Sequence, residues 1–251
     1  MHALLTMAGV ATATSAIAQD APSIPFATGE RFTYAVRMAR VGTIGHGAMW
    51  VEGPVLVRGE LTLILRFDVL AGVGPVRGED RTTSWFNVQQ MASLRYAKHE
   101  RHPFSRHDEA VEIFPDGRRW TGAAGDSGVS PTSAPLDELS FIYFLRTLPL
   151  ADDSVHLFTR HFDVGRSPTR VQVIGHETIQ TKAGAFRTIV VEMGVRDPQR
   201  YEGEGVIRIN LSDDAARIPV RIESAMRTFG STVLTLESRT RAPDQRAASA
   251  P

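Results

Sequence analysis

The stretch Phe32-Thr33-Tyr34-Ala35-Val36-Arg37-Met38 alternates strictly. Phe32, Tyr34, Val36 and Met38 fall on one face of an extended chain, and Thr33, Ala35 and Arg37 on the other. That is the period of a half-buried β-strand. The pattern recurs along the chain. Ala48–Glu52, Leu61–Leu70, Arg81–Val88, Ser93–His99 and Ala110–Phe114 read as strands in the first half. Ser154–Phe162, Arg170–Thr178, Phe186–Met193, Val206–Leu211, Ile218–Ala225 and Ser231–Ser238 follow in the second. Leu61–Leu70 is nearly continuous in apolar residues, which predicts burial on both faces. Pro115-Asp116-Gly117, Lys182-Ala183-Gly184 and Ser212-Asp213-Asp214 supply turns. About a dozen strands at this spacing predict a mainly-β, antiparallel architecture.

One segment breaks the period. Leu136–Leu148 is helical in pattern, with Asp137 placed to accept from the free amides of the first turn as N-cap. Leu136 and Phe141 have the spacing of a hydrophobic staple, and Pro149 stops the helix. Beyond its cap the helix is apolar almost all round, so it belongs in the interior. A lone buried helix in a β-protein plugs an open barrel or covers a curved sheet. The fold expected is therefore a single antiparallel curved sheet, or open half-barrel, with one buried helix. Gly122–Pro135, rich in Gly, Ser and Pro, reads as a loop within one domain.

Residues 3–18 carry no charge, are mostly small or apolar, and end in Ala16-Ile17-Ala18. This is the small-x-small pattern that signal peptidase accepts. Only His2 precedes the run, where a signal peptide normally has Lys or Arg. The expected organisation is a signal peptide over 1–18, an exposed segment over 19–28, a β-domain over 29–240 and a disordered tail over 241–251. The expected location is the periplasm or the outside of a bacterial cell. No later stretch approaches the ~18 uncharged apolar residues of a membrane-spanning helix.

The chain of 251 residues has no cysteine, which excludes disulfides, thiolate metal sites and thiol nucleophiles. Its 28 basic residues balance 28 acidic ones, and a nucleic-acid binder ordinarily carries a basic excess. Lys98 and Lys182 are the only lysines. The arginines are scattered along the sequence, which fits codon bias better than an anion-recognising patch.

The order of segments resembles an uncharacterised family of exported bacterial β-proteins known only as a domain of unknown function. The resemblance rests on Gly29-Glu30-Arg31-Phe32-Thr33-Tyr34-Ala35-Val36, and on Asp137–Arg146 followed by Leu148-Pro149-Leu150. It rests also on Gly175-His176-Glu177-Thr178-Ile179 running to Gly184-Ala185-Phe186. Leu211-Ser212-Asp213-Asp214 with Arg217-Ile218-Pro219-Val220 completes it. Asn210 stands where that family usually has tryptophan. The resemblance implies an exported half-barrel and supplies no activity. The expected shape is more distantly similar to the LolA and LolB lipoprotein carriers, an analogy of fold alone.

The motifs that suggest chemistry fail on geometry. Gly125-Asp126-Ser127-Gly128 looks like a serine-protease nucleophile motif, but Val129 replaces its last glycine and no histidine is placed beside it. His99, His102 and His107 are the densest histidine group. On a strand, residues three apart point to opposite faces, so no metal site is expected. His176 and Glu177 are adjacent and diverge in the same way. No phosphate loop, dinucleotide fingerprint or other cofactor motif occurs.

The leading expectation is a non-enzymatic envelope protein that binds an apolar or amphipathic ligand, such as a lipid or lipoprotein acyl chain. Phe141, Tyr143, Phe144 and Arg146 are the candidate contacts. Arg146 is also expected to pair with Asp213 or Asp214 and lock helix to sheet. One alternative is a hydrolase of envelope or imported glycans, with carboxylates among Asp137, Asp213, Asp214 and Glu177. Another is a structural or assembly partner in the envelope.

Overall fold

The computed structural model describes residues 23–196, 204–226 and 230–240. The expected signal peptide and C-terminal tail lie outside them. Fourteen strands form one antiparallel sheet. The first half supplies β1 (Arg31–Met38), β2 (Gly42–Val57), β3 (Glu60–Val73), β4 (Val76–Asn87), β5 (Ala92–His102), β6 (Ser105–Phe114), β7 (Arg119–Gly122) and β8 (Ser127–Val129). The helix α1 (Glu138–Leu145) follows. The second half supplies β9 (Val155–Phe158), β10 (Thr169–Thr181), β11 (Gly184–Arg196), β12 (Glu204–Ser212), β13 (Pro219–Met226) and β14 (Gly230–Thr240).

The sheet order runs β8 to β1 and then β14 to β9, so β1 joins the two halves by pairing with both β2 and β14. The edge strands β8 and β9 do not pair. Loop segments bridge the gap instead. Leu136 makes a parallel bridge to His161, and Ser130 Oγ donates to the Phe162 carbonyl at 2.8 Å. Arg160 donates to the carbonyls of Ala134 and Met91 at 2.8 and 2.5 Å. Phe162 then packs with Tyr96, Val111 and Ile113 in a second small core. The inward turn at Arg160 ends β9 at Phe158, short of the strand expected to run to Phe162. β8 lies within Gly122–Pro135, which the sequence reads as loop, and β7 meets that stretch at Gly122.

α1 forms where its cap and apolar run predict it. The Asp137 carboxylate accepts from the amides of Leu139 and Ser140, and Ser140 Oγ accepts from the Asp137 amide in return. All residues from Leu139 to Leu145 are buried. Each large apolar side chain so buried contributes about 1.5–3 kcal/mol. The helix therefore sits on the concave face because water is the worse solvent for nearly every side chain it has.

Two expectations are corrected. β3 is not buried on both faces: Leu70 lies on the face opposite Leu65 and is exposed, because the sheet is a single layer there, and Leu61, next to the β2–β3 turn, is exposed as well. Residues 23–28, expected to be exposed, are partly docked. Phe26 is buried, with its ring 4.9 Å from that of Tyr143 and 6.2 Å from that of Phe86.

Candidate functional site on the concave face

Paired residues in a sheet share a face, so the register defines what the concave side presents. On β3, Leu65, Phe67, Val69 and Ala71 pair with Val51, Met49, Gly47 and Gly45 of β2. On their other side they pair with Ser84, Thr82, Asp80 and Gly78 of β4. Next across, Ser84, Thr82 and Asp80 pair with Tyr96, Lys98 and Glu100 of β5. Those residues in turn pair with Val111, Glu109 and His107 of β6. One concave face thus changes character between β3 and β4. Toward β1 and β14 it is apolar, and from β4 to β6 it is ionisable.

Burial follows the strand direction. Tyr34, Met49, Leu65, Ser84 and Tyr96 are wholly buried beneath the helix end. Toward the β3–β4 hairpin, Phe67, Val69 and Ala71 are only partly buried, as are Ile44, Val195 and Ile207. The ionisable wall opens in the same direction. Lys98, Glu100 and Glu109 side chains are mostly covered, whereas Asp80, His102 and His107 are substantially exposed. The concavity is therefore closed by α1 at one margin and opens at the other.

The ionisable wall is tied to the helix start. Lys98 Nζ donates to Glu138 Oε2 at 2.9 Å, Arg166 Nη1 to Glu138 Oε1 at 3.0 Å, and Tyr96 OH to Glu138 Oε2 at 3.2 Å. Burial alone would raise the Glu138 pKa, but Lys98 and Arg166 outweigh it and hold the carboxyl at about 2. Burial pushes Asp137 up to about 6, despite hydrogen bonds from the Ser140 and Leu139 amides and the Ser84 hydroxyl. Burial, with Arg166 nearby, holds His161 down at about 4.

The expected ligand contacts are all in the packed interior. Phe141 and Phe144 pack edge-on with Phe158 at 5.9 and 5.3 Å between ring centres. Tyr143 is wholly buried, and Arg146 is 2% exposed. Arg146 does not pair with Asp213 or Asp214. It pairs with Glu30, at 2.6 Å between Nη1 and Oε1 and 2.8 Å between Nη2 and Oε2. The turn still reaches it through the Ala216 carbonyl, which accepts from Nη2 at 3.0 Å. The physical reason is local competition. Asp214 accepts from the amides of Ala216 and Arg217 and from Ser212 Oγ. Asp213 is taken by Arg187, Arg217 and His176. Beside the helix end lies a cleft of about 410 Å³ lined by Ser23, Ile24, Pro25, Leu148, Ala215 and Arg217 among others.

The other candidates are not assembled into a reactive centre. Asp137 bonds serines and amides at the helix start. Glu177 accepts from Asn210, which also donates to Thr188 Oγ1. Asp213 and Asp214 are engaged as above. Ser127 is exposed on the edge strand β8, with no hydrogen bond to a histidine among the described residues. His99 pairs with Asp108 and His102 with Asp80. Among the described residues no group of three or more His, Asp or Glu is disposed to hold a metal ion.

The ionisable wall is what the sequence reading missed. Its signal was present: Lys98, Glu100 and His102 share the phase of the core residue Tyr96, and His107 and Glu109 share that of Val111.

This architecture is a member of a known class of β-proteins. Residues 33–237 match the family described as "Protein of unknown function (DUF3108)", and the chain belongs to it. No curated protein matches the sequence. Among solved structures the chain is similar to a β-barrel-like protein of domain of unknown function DUF1849 from Brucella abortus. That match has 12% identity and a TM-score of 0.57, and covers 88% of this chain and all of that one. A protein with a YmcC-like fold from Bacteroides fragilis also matches. It has 12% identity and a TM-score of 0.36, over 87% of this chain and 98% of that one. The likeness to the Brucella protein extends to the fold alone.

Proposed function

We propose that this protein is an exported envelope protein that holds an amphipathic ligand, such as a lipid, in the open half of its concave face. The single observation that carries the reading is the change of character across one pleated face. Phe67, Val69 and Ala71 offer a partly exposed apolar wall, and Lys98, Glu100, His102, His107 and Glu109 face the same space beside it. An acyl chain fits the first wall and a polar head the second. The helix closes the far margin, so Phe141, Tyr143 and Phe144 back the site and Arg146 anchors the plug. The uncharged run over residues 3–18 supports export into the periplasm, where a lipid carrier has use.

Native mass spectrometry with lipid extraction on detergent-free protein tests this. The wild-type chain carries a co-purifying or added envelope lipid. Ala71→Trp fills the apolar wall without burying a charge and abolishes the adduct, with the fold intact by circular dichroism. A wild-type chain that stays unshifted with every envelope lipid contradicts the reading.

A further inference from the structure

Three successive hairpins end on the margin where the concavity opens: β1–β2, β3–β4 and β5–β6. Each tip exposes apolar side chains. Val41 stands on the first, Val73 and Val76 on the second, and Phe104, 99% exposed, on the third. Each also carries arginine: Arg37 and Arg40, then Arg77, then Arg101 and Arg106. The segments 37–43, 73–78 and 101–107 contain no Asp or Glu. Arg101 is paired with Asp108 at 2.8 Å. Arg37, Arg40, Arg77 and Arg106 are exposed and have no ion-pair partner among the described residues. The whole chain balances 28 basic against 28 acidic residues, so this excess is one of position.

We propose that this margin docks on the surface of an anionic lipid bilayer. Neighbouring strands lie about 4.8 Å apart, so alternate tips repeat about every 10 Å along the margin. Separate apolar points at that spacing, each flanked by a cation, fit an interface better than they fit a groove in a protein. The apolar side chain enters the boundary between headgroups and acyl chains, and the guanidinium meets the phosphates. The opposite margin is a natural contrast. Leu56 and Leu61 are exposed on the β2–β3 tip, but Arg58 there is bonded to Glu112 and to the Leu94 and Ile113 carbonyls, and Glu60 follows. That tip has apolar surface without free positive charge. The proposal needs only the tips and is independent of any ligand in the concavity.

Vesicle co-sedimentation of the full chain tests it, using phosphatidylcholine alone and phosphatidylcholine mixed with phosphatidylglycerol. Wild type is expected to bind the mixed vesicles selectively, with binding lost as salt rises. The variant Arg40→Glu/Arg77→Glu/Arg106→Glu is expected to bind them about a hundredfold more weakly or worse. Phe104→Ser also weakens binding, and the control Leu56→Ser/Leu61→Ser does not. The N-terminal apolar run is common to all variants, so their differences report the tips. A charge-reversed variant that is folded by circular dichroism and sediments like wild type overturns the proposal. So does a wild type that ignores the mixed vesicles, including one that instead binds a protein partner through this margin.

Discussion

Glu30 and Arg146 form a two-pronged ion pair across 116 residues of chain, one just before β1 and the other at the C-cap of α1. The Arg146 side chain is wholly covered and that of Glu30 is 9% exposed. Its guanidinium lies 5.3 Å from the ring centres of Phe26 and Tyr143, and donates also to the Pro25 and Ala216 carbonyls. One side chain thus ties the helix end to the N-terminal segment, the first strand and the β12–β13 turn.

Breaking that pair on one side leaves a buried charge uncompensated, which costs about 3–5 kcal/mol. Glu30→Ala and Arg146→Ala are each expected to lose stability of that size in urea denaturation. The double variant Glu30→Met/Arg146→Met is expected to lose less than the sum of the single losses, because no orphan charge remains.

The pH dependence near the helix start has two opposed parts. Asp137 titrates at about 6 in the fold and near 3.9 unfolded, so the folded state takes up its proton first. Its stabilising contribution is present below about pH 4 and is lost as pH rises through 6. His161 titrates at about 4 in the fold and near 6.5 unfolded. Its contribution is present above about pH 6.5 and is lost as pH falls through 4. The two offset each other in wild type. Asp137→Asn keeps an N-cap acceptor and removes only the first part. Urea denaturation is expected to show its stability falling more steeply than wild type between pH 6 and pH 4. Parallel curves would contradict these assignments.

Glycine at 45 is required by contact. A Cβ there would sit 2.0 Å from the Leu70 carbonyl oxygen and 2.6 Å from the Ala71 Cα, both backbone atoms that cannot step aside. Gly45→Ala is expected to cost about 1–3 kcal/mol or more, as overpacking does. Gly205→Ala is the comparison, since its nearest neighbour is the Val195 oxygen at 3.8 Å. It is expected to be neutral or to stabilise by up to about 1 kcal/mol. Thermal denaturation of the two variants separates these outcomes.

What the sequence made legible was local. Strand alternation around Tyr34, the Asp137 cap and the apolar run behind it act over a few residues, and they gave the sheet and the helix. What it left illegible depended on distant neighbours. Nothing near Arg146 marks Glu30 as its partner, and although Asp213 and Asp214 read as turn residues, nothing beside them shows that Arg187 and His176 come in from other strands to engage Asp213. β3 looked doubly buried because apolar residues do not announce that one face will lack a second layer. Arginines that are scattered in sequence gather on one margin because hairpin lengths bring Arg40, Arg77 and Arg106 to the same side. The ionisable wall was readable in principle, since Lys98 and Glu100 share the phase of Tyr96, but only once that phase was known to face inward.

The most direct measurement is photolabelling of the protein with a diazirine-bearing fatty acid, followed by peptide mapping. An amphipathic ligand in the concavity places the label on β3 around Phe67–Ala71 and on β11 and β12 around Val195 and Ile207. Ala71→Trp then removes it. Labelling confined to exposed residues of the opposite margin such as Leu56 and Leu61, or labelling that Ala71→Trp leaves unchanged, would contradict a ligand site on the concave face.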